Sequence, residues 1–140
     1  MIKQKPFKTA RCVLHRQGHY LLAVHSSFWG VDEPRWGLPG GQIEHGETPY
    51  AAVQRELLEE LSLRNLALME LGSYPYKQAN HMVFAAQVDG DIPEYDTAEL
   101  LDIQWFSERE IAQLHGNRKL HAHYELDAIQ YLRQLLESQH

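Results

Sequence analysis

The stretch from Gly41 to Leu63, GQIEHGETPYAAVQRELLEELSL, constrains this chain more than any other part of it. A helix begins there on local chemistry alone. Thr48 is placed to cap it, and Pro49 at the first helical position gives up an amide that has no helical partner anyway. Ala51, Ala52, Val53, Leu57, Leu58 and Leu61 supply an apolar side that needs burial. Residues three and four apart share a face, so Glu56, Glu59 and Glu60 project along one edge, with Glu56 and Glu60 one turn apart. Carboxylates this close repel one another unless a cation sits among them. Oxygen-only ligands favour hard Mg²⁺ or Mn²⁺ over zinc. Arg55 stands four residues before Glu59 and can pair with it, while Glu47 enters from the loop just ahead of Thr48.

The bulk properties narrow what such a cluster serves. A chain of 140 residues with 44% hydrophobic and 23% charged content reads as one soluble domain over residues 1–140. Its formal charge of −6 argues against a general affinity for a nucleic-acid backbone. An acidic protein that handles polyphosphate must bring cations to do it, which again points to metal. Cys12 is the one cysteine, so no internal disulfide forms and the reducing cytoplasm is the expected location. No apolar run approaches a membrane span, and MIKQKPFKTARC lacks the apolar stretch of a signal peptide. Lys3, Lys5 and Lys8 read as a solvated, frayed start.

Strand patterns run from Phe7 to His15 and from Tyr20 to His25, with Arg16-Gln17-Gly18-His19 as the hairpin turn between them. Residues 26–35 read as a loop, and Trp36 to Ile43 as a glycine-rich bend around short extended pieces. After the helix, Leu66 to Tyr74, His81 to Val88 and Leu101 to Phe106 read as strands, with an acidic connection from Asp89 to Asp96. Ser107-Glu108-Arg109-Glu110 has the form of a capping box for a short helix. A longer helix is expected near His121 to Leu136, with Leu126, Ile129, Leu132 and Leu136 on one stripe. This order departs from regular doubly wound alternation and suits an α/β class with a mixed sheet covered by helices on both faces.

With its leader Trp36-Gly37-Leu38-Pro39-Gly40, the segment resembles the Nudix box, Gly-x5-Glu-x7-Arg-Glu-U-x-Glu-Glu-x-Gly-U, where U is aliphatic. Gly41, Glu47, Arg55, Glu56, Glu59 and Glu60 meet it in register, a match that arises by chance with probability on the order of 10⁻⁵. Ser62 stands where the family has glycine. A serine in the left-handed helix end that glycine suits costs roughly 1 kcal/mol, and a helix running on to Asn65 would avoid that cost. The resemblance implies a Nudix-like α/β/α sandwich with the box helix packed on the central sheet. It implies that Glu56 and Glu60 are metal ligands, that Glu59 binds metal or supports the site, and that the Gly40 carbonyl completes the coordination. Arg55 would hold the carboxylates in place. The implied activity is metal-dependent hydrolysis of a pyrophosphate link in a small nucleotide, with Mg²⁺ as cofactor and Mn²⁺ as its substitute. Glu60 and Glu99 are both candidates to take the proton from water, with Glu94 and Asp96 as weaker neighbours of Glu99.

Phe28, Trp29, Trp36, Tyr74 and Tyr76 are the aromatics that could stack on a base, with Phe28 and Trp29 best placed in the loop beside the box, and Trp105 reads as core. His25 and His81 lie near the expected pocket as hydrogen-bonded structural residues. His121 and His123, two apart on the expected helix, would point to different faces and read as surface residues. Tyr74, Pro75 and Tyr76 lie closer to the box than the proline or tyrosine of the ADP-ribose and dinucleotide-polyphosphate subgroups. The favoured substrate is a nucleoside triphosphate, cleaved to monophosphate and pyrophosphate. ADP-ribose or a nucleotide sugar is the runner-up. A catalytically silent nucleotide sensor and an RNA-end hydrolase are the rival classes, the latter wanting a basic groove. Many relatives of this kind are homodimers, yet no stripe here marks an interface.

Overall fold

The computed structural model describes residues 6–26 and 34–139. In chain order the elements are β1 (Phe7–Arg16), β2 (His19–His25), β3 (Gly40–Gln42), α1 (Pro49–Leu61), β4 (Met69–Tyr76), β5 (Ala79–Gln87), β6 (Leu100–Ser107), α2 (Glu108–Gly116) and α3 (Glu125–Glu137). The sheet runs β4-β5-β1-β2-β6, mixed because β1 and β5 are parallel while the other neighbours are antiparallel.

Strands β1 and β2 pair beside their turn, at His15–Tyr20 and Arg16–His19, where Gln17 and Gly18 take φ of 50° and 77°. Positive φ at both positions is what a tight two-residue hairpin demands. Farther along, the segment from Trp36 to Gln42 lies between the two strands. Ala23 and Gly37 exchange backbone hydrogen bonds of 2.9 and 2.8 Å, Cys12 donates to the Pro39 carbonyl at 2.9 Å, and β3 pairs with Thr9–Arg11. Gly40 has to be glycine. Its φ is 131°, and a Cβ there would collide with the Ala10 carbonyl oxygen and come within 2.7 Å of the Arg11 Cα. This wedge brings the residues ahead of α1 against the middle of the sheet.

Alternation along each strand divides the core. Ala10, Cys12, Leu14, Met82 and Phe84 face α1, where they meet Ala52, Val53, Leu57 and Leu61. Val13, Leu22, Val83 and Ala85 face α2 and α3, against Ile111, Ala128, Ile129 and Leu132. The sandwich expected from the sequence is therefore observed, with helices on both faces of a mixed sheet.

Three expectations are corrected. The helix α1 does not run on toward Asn65. It ends at Leu61, with Ser62 in the left-handed conformation (φ 58°, ψ 29°) and the Ser62 and Leu63 amides bonded to the Leu58 and Leu57 carbonyls. Serine thus occupies the strained position directly, and Ser62→Gly is expected to raise stability by about 0.5–1 kcal/mol in chemical denaturation, net of the greater freedom of glycine when unfolded. The strand expected from Leu66 begins at Met69, because Leu66 and Leu68 pack against the α1-side core instead of pairing. The last helix begins at Glu125, not His121. Trp36 donates to Lys119 and accepts from His121, both at 2.8 Å, so that backbone is spent on a bridge to the wedge. His123, at φ 71°, also breaks the helical run.

Local signals otherwise hold. Thr48 Oγ1 accepts from the Ala51 amide at 3.1 Å, and Ser107 and Glu110 form the reciprocal capping box at 3.1 and 2.8 Å. Trp105 packs at the margin of the α1-side core, with the Arg16 guanidinium 4.7 Å over its ring. Among the described residues, no helix is long and apolar enough to cross a membrane.

Candidate active site

A cavity of about 510 Å³ opens where the wedge, the exposed edge of α1 and the starts of β1, β5 and β6 converge. Glu56, Glu60 and Glu99 meet at one end of it, each offering a carboxylate oxygen within 4.8 Å of the others. Each is placed by a different device.

Glu60 is held by burial and by two partners. It is 2% exposed, and its Oε1 accepts the Gly40 amide at 2.9 Å while Oε2 lies 3.2 Å from His25 Nδ1. The other nitrogen of His25 faces the Leu38 carbonyl at 3.2 Å. Glu56, one turn earlier, is half-buried and bonded to Arg55 at 2.9 Å. Burial first and the Glu60 charge second push its carboxyl up to about 6. Gly41 leaves room for that carboxylate, since a Cβ at Gly41 would come within 2.7 Å of Glu56 Cδ.

Glu99 arrives from the turn before β6. The Asp96 amide bonds to the Glu60 carbonyl at 2.9 Å, and the Asp96 carbonyl accepts from Leu100 at 2.8 Å. The Ser26 amide then donates to the Glu99 carbonyl at 2.8 Å, which fixes the turn to the end of β2. Burial, then the charges of Glu60 and Asp96, raise the Glu99 carboxyl above its ordinary range.

Arg55 is the clasp beneath this group. It bonds Glu47 at 2.7 and 2.9 Å, the Gln42 carbonyl at 3.1 Å, Glu56 at 2.9 Å and Glu59 at 3.3 Å. The Arg55 bonds, and then the Glu44 amide at 2.8 Å, hold the Glu47 carboxyl down to about 2. Glu59 is exposed and bonded to Arg55 at 3.3 Å, and the carboxylates that converge among the described residues are Glu56, Glu60 and Glu99. All three donors are oxygens, and burial, then repulsion from Glu60, raises the pKa of two of them, a set that fits a hard divalent cation. The Gly40 carbonyl, expected to join the coordination, accepts from Arg11 Nη1 at 3.1 Å.

The remaining wall of the cavity was anticipated from the sequence only at Tyr76 and His81. Arg11, Lys8, Lys77, His121, Tyr76 and Tyr124 line it. Arg11 carried a signal of its own: a cation within the apolar run Ala10 to Leu14 is costly unless it is employed. Lys8 belongs to β1 and the cavity, not to a frayed start. His121 is half-buried on the cavity wall, not a surface residue, and burial together with Arg11 pushes its pKa down to about 3. His81 also borders the cavity, bonded to Thr9 at 2.7 Å and to the Tyr76 carbonyl at 3.1 Å, as a structural histidine should be. Trp36 does not line the cavity. It meets Phe106 edge-on at 5.1 Å and packs on the core beside α2 and α3. Phe28 and Trp29 lie outside the described residues.

Comparison with known proteins agrees with this architecture. The NUDIX domain model matches residues 5–126. A Bacillus subtilis protein provisionally named an 8-oxo-dGTP diphosphatase is 32% identical over 101 residues, covering 67% of this chain and 68% of that protein. The NAD-capped RNA hydrolase NudC of Photorhabdus laumondii is 31% identical over 102 residues, 69% of this chain but 38% of NudC. The chain thus spans well under half the length of the NudC relatives it matches. Among solved structures, a Nudix hydrolase from Nitrosomonas europaea superposes with a TM-score of 0.74 at 25% identity, covering 93% of this chain and 90% of the other. The Nudix domain of Shewanella oneidensis NrtR, solved with ADP-ribose, has the same fold, with a TM-score of 0.73 at 22% identity over 96% of this chain and 90% of that one. The box residues, the mixed-sheet sandwich and these likenesses lead to one assignment: the chain belongs to the Nudix family.

Proposed function

We propose that this chain is a divalent-metal-dependent pyrophosphohydrolase of small nucleotides, cleaving nucleoside triphosphates to monophosphate and pyrophosphate. The observation that carries the reading is the Glu56–Glu60–Glu99 cluster at the end of a cavity of about 510 Å³, a volume suited to a small ligand. The Bacillus subtilis relative, which matches over two thirds of both chains and whose provisional name denotes action on a triphosphate, supports the substrate class.

Glu56 and Glu60, with Glu99 at their edge, would hold the cation, Mg²⁺ before Mn²⁺. When bound, it would neutralise charge on the pyrophosphate and favour attack by water. The chain's own groups do the rest. Arg55 keeps Glu47, Glu56 and Glu59 in register, while His25 and the Gly40 amide lock Glu60. A carboxylate so enclosed suits a ligand better than a proton acceptor. Glu99 is the exposed member, and its raised pKa makes it a stronger base than an ordinary carboxylate. In the step, the water oxygen bonds to a phosphorus of the link and the bridging P–O bond breaks. Its electron pair leaves with pyrophosphate, and the water's proton passes to Glu99 and on to solvent.

Product release from a panel of triphosphates, 8-oxo-dGTP, ADP-ribose and NAD, each with and without Mg²⁺, tests this reading. Metal-dependent pyrophosphate release, with triphosphates turned over faster than ADP-ribose or NAD, is expected. Preference for ADP-ribose or NAD would overturn the substrate class. Absence of metal-dependent turnover on the whole panel would overturn the enzyme.

A further inference from the structure

Glu125 is a buried acid that the proposed chemistry does not use. It is 2% exposed, its Oε2 accepts the Ala122 amide at 2.9 Å, and its Oε1 has no hydrogen-bond partner among the described residues. The spacing of the two residues is that of the acidic arm of a capping box. Yet the bond does not cap α3. That helix begins at Glu125 itself, with Tyr124 at its N-cap making no side-chain cap bond, and His123 at φ 71° interrupts the run between the partners. At α2 the same chain caps a helix with the solvent-facing pair Ser107 and Glu110 and buries no charge. A buried carboxylate with one idle oxygen is a costly way to satisfy a single amide.

What the bond holds is the connection between α2 and α3 where it passes the cavity. His121, Ala122 and Tyr124 line that cavity, and Glu125 is the next residue in the chain. Upstream, the connection is tied by the 2.8 Å backbone bonds between Trp36 and Lys119 and between His121 and Trp36. The Tyr76 hydroxyl adds a bond to the His121 carbonyl at 3.2 Å. Those ties end at His121. Beyond it, Ala122 and Tyr124 are buried with a left-handed His123 between them, and the Glu125 carboxylate holds their backbone from the α3 side.

We infer that Glu125 is a positioning residue for the cavity: through the Ala122 amide it sets where His121, Ala122 and Tyr124 meet the substrate, touching no reacting atom itself. Its effect on turnover rests on the pyrophosphohydrolase reading, whereas the clamp on the connection does not.

Backbone amide hydrogen exchange, followed by NMR, and steady-state kinetics of Glu125→Met and Glu125→Gln test both parts. Methionine fills the space without an oxygen for the amide, and glutamine keeps one. In Glu125→Met, exchange at Ala122 is expected to rise about tenfold or more, while amides in β1 and β5 change far less. KM for the triphosphate turned over best is expected to rise about fivefold to tenfold, with kcat within about twofold of the parent. Glu125→Gln should return exchange and KM to within about twofold of the parent. A parental KM in folded Glu125→Met would make Glu125 a residue of the fold alone and overturn the role. So would exchange rising equally through the sheet, failure of Glu125→Met to fold where Glu125→Gln folds, or failure of glutamine to restore KM. A parent that turns over no triphosphate would sink the hydrolase reading instead. Exchange would then decide the clamp, a local rise at Ala122 keeping it and no local rise overturning it.

Discussion

Glu60→Gln is expected to lower kcat/KM with Mg²⁺ by about 10²–10⁴-fold while the protein stays folded. The substitution preserves shape and leaves an oxygen for the Gly40 amide that Glu60 now meets at 2.9 Å. It removes one of three converging carboxylate charges, and with it the electrostatic reason for a divalent cation to bind there. Stability without metal is expected to change little, because relief of the repulsion with Glu56 is offset by loss of the buried 3.2 Å pair with His25. Glu59→Gln provides the contrast. Its carboxylate is exposed and bonded to Arg55 at 3.3 Å, so a loss of about tenfold or less is expected. Steady-state kinetics and Mg²⁺ titrations of the two variants, with thermal denaturation as the folding control, separate these roles. Equal losses would put Glu59 back among the ligands. Near-normal turnover by Glu60→Gln would remove the cluster from the reaction.

The second large effect lies away from the cavity. Glu125 is 2% exposed at the start of α3, where Oε2 accepts the Ala122 amide at 2.9 Å. Oε1 is the buried side-chain oxygen left without a hydrogen-bond partner among the described residues. Burial pushes its carboxyl from 4.5 up to about 7. Between those values the folded protein keeps a proton that the unfolded chain releases, so stability falls as pH rises through this window. The protonated state's full advantage holds below 4.5 and is gone above about 7. At 1.36 kcal/mol per unit, the ionisation penalty is on the order of 3 kcal/mol at pH 8. Glu125→Gln should therefore be the more stable protein at pH 8 by up to about 3 kcal/mol and equal to the parent near pH 4.5. Urea denaturation at several pH values checks this. A gain independent of pH would mean that packing, not ionisation, is responsible.

Both predictions depend on which side chains the fold brings into contact, and the sequence disclosed these unequally. Glu56 and Glu60 were legible because their register is set by one helix, and a helix beginning at Thr48-Pro49 leaves no choice of face. Arg55 was legible for the same reason. Glu99 was visible as a candidate, but its arrival depends on the Asp96–Glu60 and Ser26–Glu99 backbone bonds, which join three separate parts of the chain. Glu59, equally well spaced, turned to Arg55 instead, because a salt bridge at the exposed edge competes with the cluster. His121 was misplaced because the periodicity of α3 extends backward in sequence past the point where Trp36 claims its backbone.

By itself, then, the sequence determined the caps, the hairpin turn, the α1 register with its two converging carboxylates, the apolar stripes and, through the box, the family. These are properties of residues within a turn or two of each other, where hydrogen bonding and side-chain periodicity act locally. Only the tertiary structure decided the company those carboxylates keep. Parallel pairing of β1 with β5 sets Thr9 opposite His81, while the wedge between β1 and β2 brings Gly40 onto Glu60, where the end of β2 supplies His25, and draws His121 to the cavity. Such meetings are fixed by strand order and by the satisfaction of buried backbone groups across long stretches of chain, and no local pattern encodes them.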